Sequence, residues 1–523
     1  MNGIRIWWVR RLDRATAIGL AGVIFGTAAA FGGAAWWGRP YVAGAAFALG
    51  LAWFLRCGLT GRWPVLFSPL GLLGALAIGL GAAQLVPWPG AIASLASPNA
   101  RAAHSIGTLP RAALEDDPAA ELPAPFTPRS PLTLDRSATL RWIVGASALL
   151  MLFWVVSHFT DRLRRLSLIW GSIVAAFLLN GAIATVQLAG FADGIYGFVT
   201  PGSGPRWAMN PADALAAPGR SVLRPVPTAA DVPRAWVFPR PVPRSEFGTM
   251  PGGADAFLAL GSLGLPLSLA LTLQLMAPRG SREPFWARLR RSSRGSLLIL
   301  LFVSTILAAG LVGLLAGRFV ALPFAIGLGI VGLPCLFGAG LGFRGFLLTT
   351  LTAAALGGGI ALGDAWPTLI GDDLSLPRVD LDAARRAWAT TPAMLRDFPI
   401  VGVGLGARAV AATLYEPGDA ASSTAESTLA QWAVEGGAVG LALLGLALFW
   451  VLVRLPSAFA RVGSADRALA CGFLGAAVGF LGFAAMRWSV ELPAVAVAAV
   501  VFAGTLNRWL AGGTDLLVEA LEA

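Results

Sequence analysis

Residues 296–317 read SLLILLFVSTILAAGLVGLLAG. These 22 residues contain no Asp, Glu, Lys, Arg or His. As a helix at 1.5 Å per residue they reach about 33 Å, enough to cross a hydrocarbon layer about 30 Å thick. The same test applied outward finds comparable runs near 15–37, 40–57, 65–88, 138–158, 166–190, 254–277, 319–340, 345–363, 427–453, 468–487 and 489–510. The expected fold is therefore all-α, a polytopic transmembrane bundle of about twelve spans forming one membrane domain over residues 1–523. The pairs within 319–363 and 468–510 have connections so short that either pair could be a re-entrant hairpin.

Composition agrees. Of 523 residues, 56% are hydrophobic and only 13% charged, whereas about a quarter of a soluble enzyme's residues carry charge and a disordered basic tail lacks the apolar ones. All 39 basic residues are arginine, and the net charge of +11 could point to nucleic acid, anionic lipid or a phosphorylated substrate. Position decides between these. With the N-terminus inside, Arg5, Arg10, Arg11, Arg14, Arg56, Arg162, Arg164, Arg165, the six arginines from Arg279 to Arg294, Arg344, Arg454, Arg461, Arg467 and Arg508 all fall on the inner side, opposed by few acids. The outer side is close to neutral. An N-in, C-in arrangement in a bacterial inner membrane accounts for the charge, with the lipid bilayer and no nucleic acid as partner.

The first apolar run follows a basic start, but it is long for a signal peptide, and Trp36 and Trp37 stand where small residues would be needed for cleavage; it reads as a retained span. Trp7, Trp8, Trp63, Trp170, Trp366 and Trp509 are among the tryptophans near span ends, as an interfacial belt would place them. Cys57, Cys335 and Cys471 lie in or beside apolar runs without metal or disulfide spacing and read as small hydrophobes. His104 and His158 read as surface groups. No His, Asp and Glu cluster has ligand spacing, so neither a metal nor another cofactor is expected.

This arrangement puts three long stretches outside: 89–137, an Arg/Pro-rich 191–253, and 364–426. Long loops are translocated regardless of charge, so most arginines of the second need no function. The third is the most informative. It carries Asp397-Phe-Pro399, then Gly402-Val-Gly404-Leu-Gly406, then Ala425-Glu426-Ser427, with Glu435-Gly-Gly437 in the following span. The glycine run is not a dinucleotide fingerprint, because GxGxG lacks the GxGxxG spacing and no βαβ unit surrounds it; its backbone freedom suits a tight turn or a close helix approach.

The order of these pieces resembles the O-antigen ligase and O-antigen polymerase (Wzy-type) family of bacterial membrane glycosyltransferases. Asp397 to Gly406 fits that family's segment closely, and Glu435 with Gly437 fits its Glu-x-Gly. Looser matches are Gln84-Leu-Val-Pro87, Ile195-Tyr196-Gly197, Phe247-Gly248-Thr249 with Gly253 to Phe257, Gly317-Arg318 where the family has Ser-Arg-Gly, and Glu491-Leu-Pro493. The resemblance implies an enzyme that transfers a glycan from a polyprenyl-diphosphate carrier to a hydroxyl of a glycan, lipid or protein acceptor, in envelope or exopolysaccharide biosynthesis such as that of lipopolysaccharide. It also implies Arg318, with Arg244 second, as the cations for the diphosphate. The same resemblance gives Asp397, Gly402, Gly404, Gly406 and Glu435 supporting places in the site.

One departure stands out: the family's Ala-His-Asn is Ala-Glu-Ser here, so Glu426 occupies the histidine position. A glutamate can deprotonate a sugar hydroxyl if burial raises its pKa. It can equally be a helix-start acid behind the cap residues Ser422, Ser423 and Thr424. The rival expectation for the whole chain is a transporter or a catalytically silent scaffold for envelope polysaccharide assembly.

Overall fold

The structure is a computed structural model that describes residues 3–33, 37–61, 63, 68–97, 99, 129–160, 163–190, 253–276, 293–336, 342–370, 381–415, 427–462, 467–487 and 492–511. Arg244 and Glu426, with His104 and the whole of 191–252, lie outside the described residues.

Fifteen α-helices occur among the described residues: α1 Gly3–Ala29, α2 Gly38–Thr60, α3 Pro69–Leu85, α4 Gly90–Ala96, α5 Arg136–Phe159, α6 Leu163–Gly190, α7 Gly253–Met276, α8 Ser293–Val320, α9 Leu322–Leu336, α10 Gly342–Ile370, α11 Leu381–Asp397, α12 Arg408–Tyr415, α13 Thr428–Ala460, α14 Arg467–Met486 and α15 Pro493–Leu510. Every apolar run in the sequence has become a helix, because backbone polar groups that leave water must be paired within the segment itself. Ten of these helices are long and apolar enough to cross a membrane: α1, α2, α5 to α8, α10, and α13 to α15. The chain is thus an all-α, multi-pass membrane protein. Two expected spans are shorter. In α3 a serine cap, Ser68, and Pro69 fix the start while an extended Val86 stops the helix; α9 covers 15 residues. At the other extreme α1 begins at Gly3, so the basic start is helical, and it ends before the expected limit at Gly32 and Gly33, both with positive φ.

Helix α7 is the centre. Its side chains from Ala254 to Leu273 are almost entirely buried against α6, α8, α9 and α14. Small residues let neighbouring backbones touch: a Cβ on Gly313 of α8 would lie 2.0 Å from the Leu356 carbonyl of α10. Outer faces carry exposed Phe47, Leu51, Leu307, Phe346, Phe449 and Leu452, which suit a lipid solvent.

Polar contacts sort the helix ends into two sets. At one end Asp13 of α1 takes Arg56 of α2 at 2.5 Å and Arg165 of α6 at 2.6 Å. Asn507 of α15 reaches Ser68 and Ser157 there, and Arg461 reaches the Leu510 carbonyl. At the opposite end Arg487 meets Asp255 and Arg318 meets Asp364. These contacts put the basic start of α1 and the end of α15 at the same end of the bundle.

Three expectations change. His158 is not a surface group: its ring is buried between Trp53 and Trp154, with Nδ1 2.8 Å from the Trp154 carbonyl oxygen. Trp170 and Trp509 do not belong to an interfacial belt either; both are buried against Phe473. Finally, the stretches 89–137 and 364–426 are not merely loops. Trp88–Pro89 pairs antiparallel with Arg129–Ser130, and α11 and α12 occupy much of the third stretch.

The orientation is open to a direct check. Alkaline phosphatase fused after residue 110 or 220 is expected to be active, and fused after 282 or 464 inactive; the reverse pattern would invert the assignment.

Candidate functional site

The site begins with a broken helix. At Gly437 the backbone of α13 leaves the helical region (φ 57°, ψ −152°) and then resumes. In an unbroken helix the N–H groups of Ala438 and Val439 would bond the carbonyls of Val434 and Glu435. Instead they donate to Pro399 and Ile400, at 2.9 and 3.0 Å. The two carbonyls left over accept the N–H groups of Val403, at 3.0 Å, and Gly404, at 3.3 Å. The segment 399–404 thereby replaces the helix's missing partners, and the exchange satisfies all four groups.

Gln84, the penultimate residue of α3 and fully buried, locks this exchange. Its Nε2 donates to the Val401 carbonyl at 2.6 Å and the Glu435 carbonyl at 3.1 Å, while its Oε1 accepts the Leu405 N–H at 2.9 Å. Its own backbone carbonyl accepts from Leu132 and Thr133. Gly404 turns at φ 109° against Thr133, where a Cβ would come within 2.1 Å of the threonine Oγ1. Gly402 and Gly406 also have positive φ in the same turn.

Below the turn Met394, Phe398, Val403, Ala407, Ala411, Ala412 and Val434 form a small apolar cluster. Glu435 is buried at its edge, with Oε1 accepting from Gln431 Nε2 at 3.0 Å and from the backbone N–H of Arg408 at 3.4 Å. The Arg408 side chain is itself buried. Asp397, at the end of α11, accepts a hydrogen bond from the Tyr415 hydroxyl and so ties α11 to α12. Burial first, then that hydrogen bond and the Asp397 charge, push the Tyr415 phenol far above its usual range. It is a fixed donor, not a proton shuttle.

The start of α13 is fastened separately. Ser427 caps the helix and donates to the Ala485 carbonyl at 2.7 Å, which also accepts from Trp388 Nε1 of α11 at 3.1 Å. The Thr428 N–H donates to the Arg487 carbonyl at 3.3 Å. Arg487 closes the end of α14 by forking onto Asp255, Nε to Oδ1 at 2.8 Å and Nη2 to Oδ2 at 2.6 Å.

Arg318 sits on a second break. Gly317 leaves the helical region near the end of α8, and the arginine that follows is 75% exposed, with Nε donating to Asp364 of α10 at 2.8 Å. That bond uses one of the three guanidinium nitrogens.

Sequence elements more than 300 residues apart thus converge: the end of α3, the turn after α11 and the first three turns of α13. Arg318 lies on a different pair of helices at the same end. Arg487, Asp255, Asp364 and Arg408 were not singled out in the sequence. The detectable signal was weak: isolated charges at the ends of apolar runs. Among the described residues no group of three His, Cys, Asp or Glu is placed to hold a metal. Comparison with protein-family models and with curated proteins gave no match, so the functional reading rests on the chain's own residues.

Gly404→Ala is expected to lower stability by several kcal/mol, since strained φ adds to a clash with Thr133. Gly436→Ala, where the nearest atoms to a new Cβ are 3.9 Å away, is expected to change it by less than about 1 kcal/mol. Thermal unfolding in detergent compares the two, and equal effects would refute the close approach. Gln84→Leu orphans the Leu405 N–H and the Val401 carbonyl, at about 1–3 kcal/mol each.

Proposed function

We propose that this chain is a membrane glycosyltransferase of the O-antigen ligase and polymerase type, working on the outer face of a bacterial inner membrane. A glycan on a polyprenyl diphosphate enters laterally between helices. An acceptor hydroxyl attacks the anomeric carbon, the bond from that carbon to the diphosphate oxygen breaks, and the hydroxyl proton passes to a base. Direct displacement inverts the anomeric configuration. The leaving diphosphate collects negative charge, which the Arg318 guanidinium, with Arg244 second, is suited to take up. Glu426 is the base in this scheme. It lies one residue before Ser427, whose fastening to Ala485 fixes where the helix begins.

The observation that carries this reading is the convergence of elements quoted for the resemblance. Gln84, the Gly402–Gly406 turn and Glu435–Gly437 form one hydrogen-bonded unit, and Gly317-Arg318 occupies another helix break at the same end. Interrupted helices in membrane proteins mark places where polar groups are presented at depth. They also occur in transporters, and that is the second reading. The breaks here lie near one set of helix ends instead of mid-span, which favours chemistry at a surface over passage through the bundle.

The test is Arg318→Ala. Because this arginine is largely exposed, its pair with Asp364 adds at most about 1 kcal/mol to stability, and the protein should reach the membrane at normal level. Glycan conjugate or polymer should fall by at least about 100-fold. Full retained product would remove Arg318 from the site. Glu426→Gln should lower product sharply if the carboxylate is the base, and an unchanged rate would return it to the role of helix-start acid.

A further inference from the structure

The basic end of α1 is two-faced. Val9, Leu12, Asp13 and Thr16, spaced i, i+3, i+4 and i+7, turn toward the bundle, and Asp13 is there engaged by Arg56 and Arg165. Trp7, Arg10, Arg11 and Arg14 have the same spacing two residues earlier and are exposed. Arg11 lies 3.9 Å over the Trp7 ring and Trp8 packs edge-on against it, which makes a continuous stripe of two indoles and three guanidinium groups. The one acid of this segment is already shared by two arginines from other helices, so the charge of the stripe is in surplus.

Length supplies the second observation. Helix α1 has 27 residues, about 40 Å, against about 30 Å of hydrocarbon. Asp13 is level with the charged ends of α2 and α6, and Ile4 lies nine residues, roughly 13 Å, beyond it along the helix. Standing upright, α1 would hold Ile4 (73% exposed), Ile6, Trp7 and Trp8 in water. With the whole helix tilted to shorten its projection, the same end brings these side chains toward the acyl boundary and its arginines among phosphates.

We infer that the exposed face of residues 4–14 is a binding site for anionic glycerophospholipid of the adjacent leaflet, with Arg10, Arg11 and Arg14 on headgroup phosphates and Trp7 and Trp8 beside the glycerol and upper acyl chain. Forked guanidinium groups match phosphate oxygens, and an indole held by an arginine presents both an apolar body and a charge at one depth. The inference is independent of any glycosyl transfer.

The test uses the full chain in nanodiscs of phosphatidylcholine with 30% phosphatidylglycerol and reads the motionally restricted fraction of spin-labelled phosphatidylglycerol against spin-labelled phosphatidylcholine. The wild-type chain should prefer the anionic lipid. Arg10→Ala/Arg11→Ala/Arg14→Ala should lower that preference by at least about fivefold, and the corresponding Lys variant should keep most of it. A charge-matched control on the same side, Arg279→Ala/Arg282→Ala/Arg288→Ala, should keep it too. An unchanged preference in the Ala variant, or an equal fall in the control, would overturn the site. A marked rise on neutralising Asp515, Glu519 and Glu522 would also overturn it, because the stripe would then be covered by the chain's own acidic end.

Discussion

The helix ends around the glycine turn depend on the hydrogen bonds exchanged across the interruption at Gly437. A helix that breaks inside a membrane protein exposes N–H and C=O groups that no water can satisfy, and each orphan costs several kcal/mol in hydrocarbon. Here the segment 399–404 supplies both missing acceptors and both missing donors, and Gln84 adds a third strand of bonds from α3. The interruption and the glycine turn therefore need one another. The turn that makes this exchange holds Gly402, Gly404 and Gly406 at positive φ and brings Thr133 against Gly404.

The consequence for chemistry is a division of labour. The Gln84, Gly404 and Glu435 unit is buried and hydrogen-bonded within itself, and Tyr415 holds Asp397 beside it. Such a unit orients its neighbours; it has little left with which to bind a substrate. Arg318 is the opposite case, exposed and held by one nitrogen. In the proposed transferase the unit would fix the beginning of α13, with Ser427 and Arg487 as further anchors. Preorganisation of this kind is what makes a charge at a leaving group effective.

The sequence made the helices legible because lipid leaves the backbone few choices. Runs such as 296–317 and 254–277 have no polar alternative, and their helices fall close to the expected limits. The glycine turn was legible too, since GxGxG without a βαβ context asks for unusual φ. What was hidden is of two kinds. Partnerships across the chain leave no local trace: Gln84 is one polar residue at the end of an apolar run, and its bonds to Val401 and Leu405 span more than 300 positions. Depth is equally silent. His158 and Trp170 have the sequence context of interfacial residues, yet helix packing closes over both. The helicity of α11 was missed for a related reason, since its charged face and two prolines, Pro392 within it and Pro399 after it, read as loop.

The most direct measurement follows the carrier itself. The purified chain is reconstituted in liposomes with a polyprenyl-diphosphate-linked glycan and a hydroxyl acceptor, without added nucleotide, and both the free carrier diphosphate and the glycan linkage are assayed. The account predicts that carrier diphosphate is released in equal measure with glycan joined to the acceptor, with inverted anomeric configuration. Passage of the intact lipid-linked glycan across the bilayer, with its diphosphate bond unbroken, would contradict it.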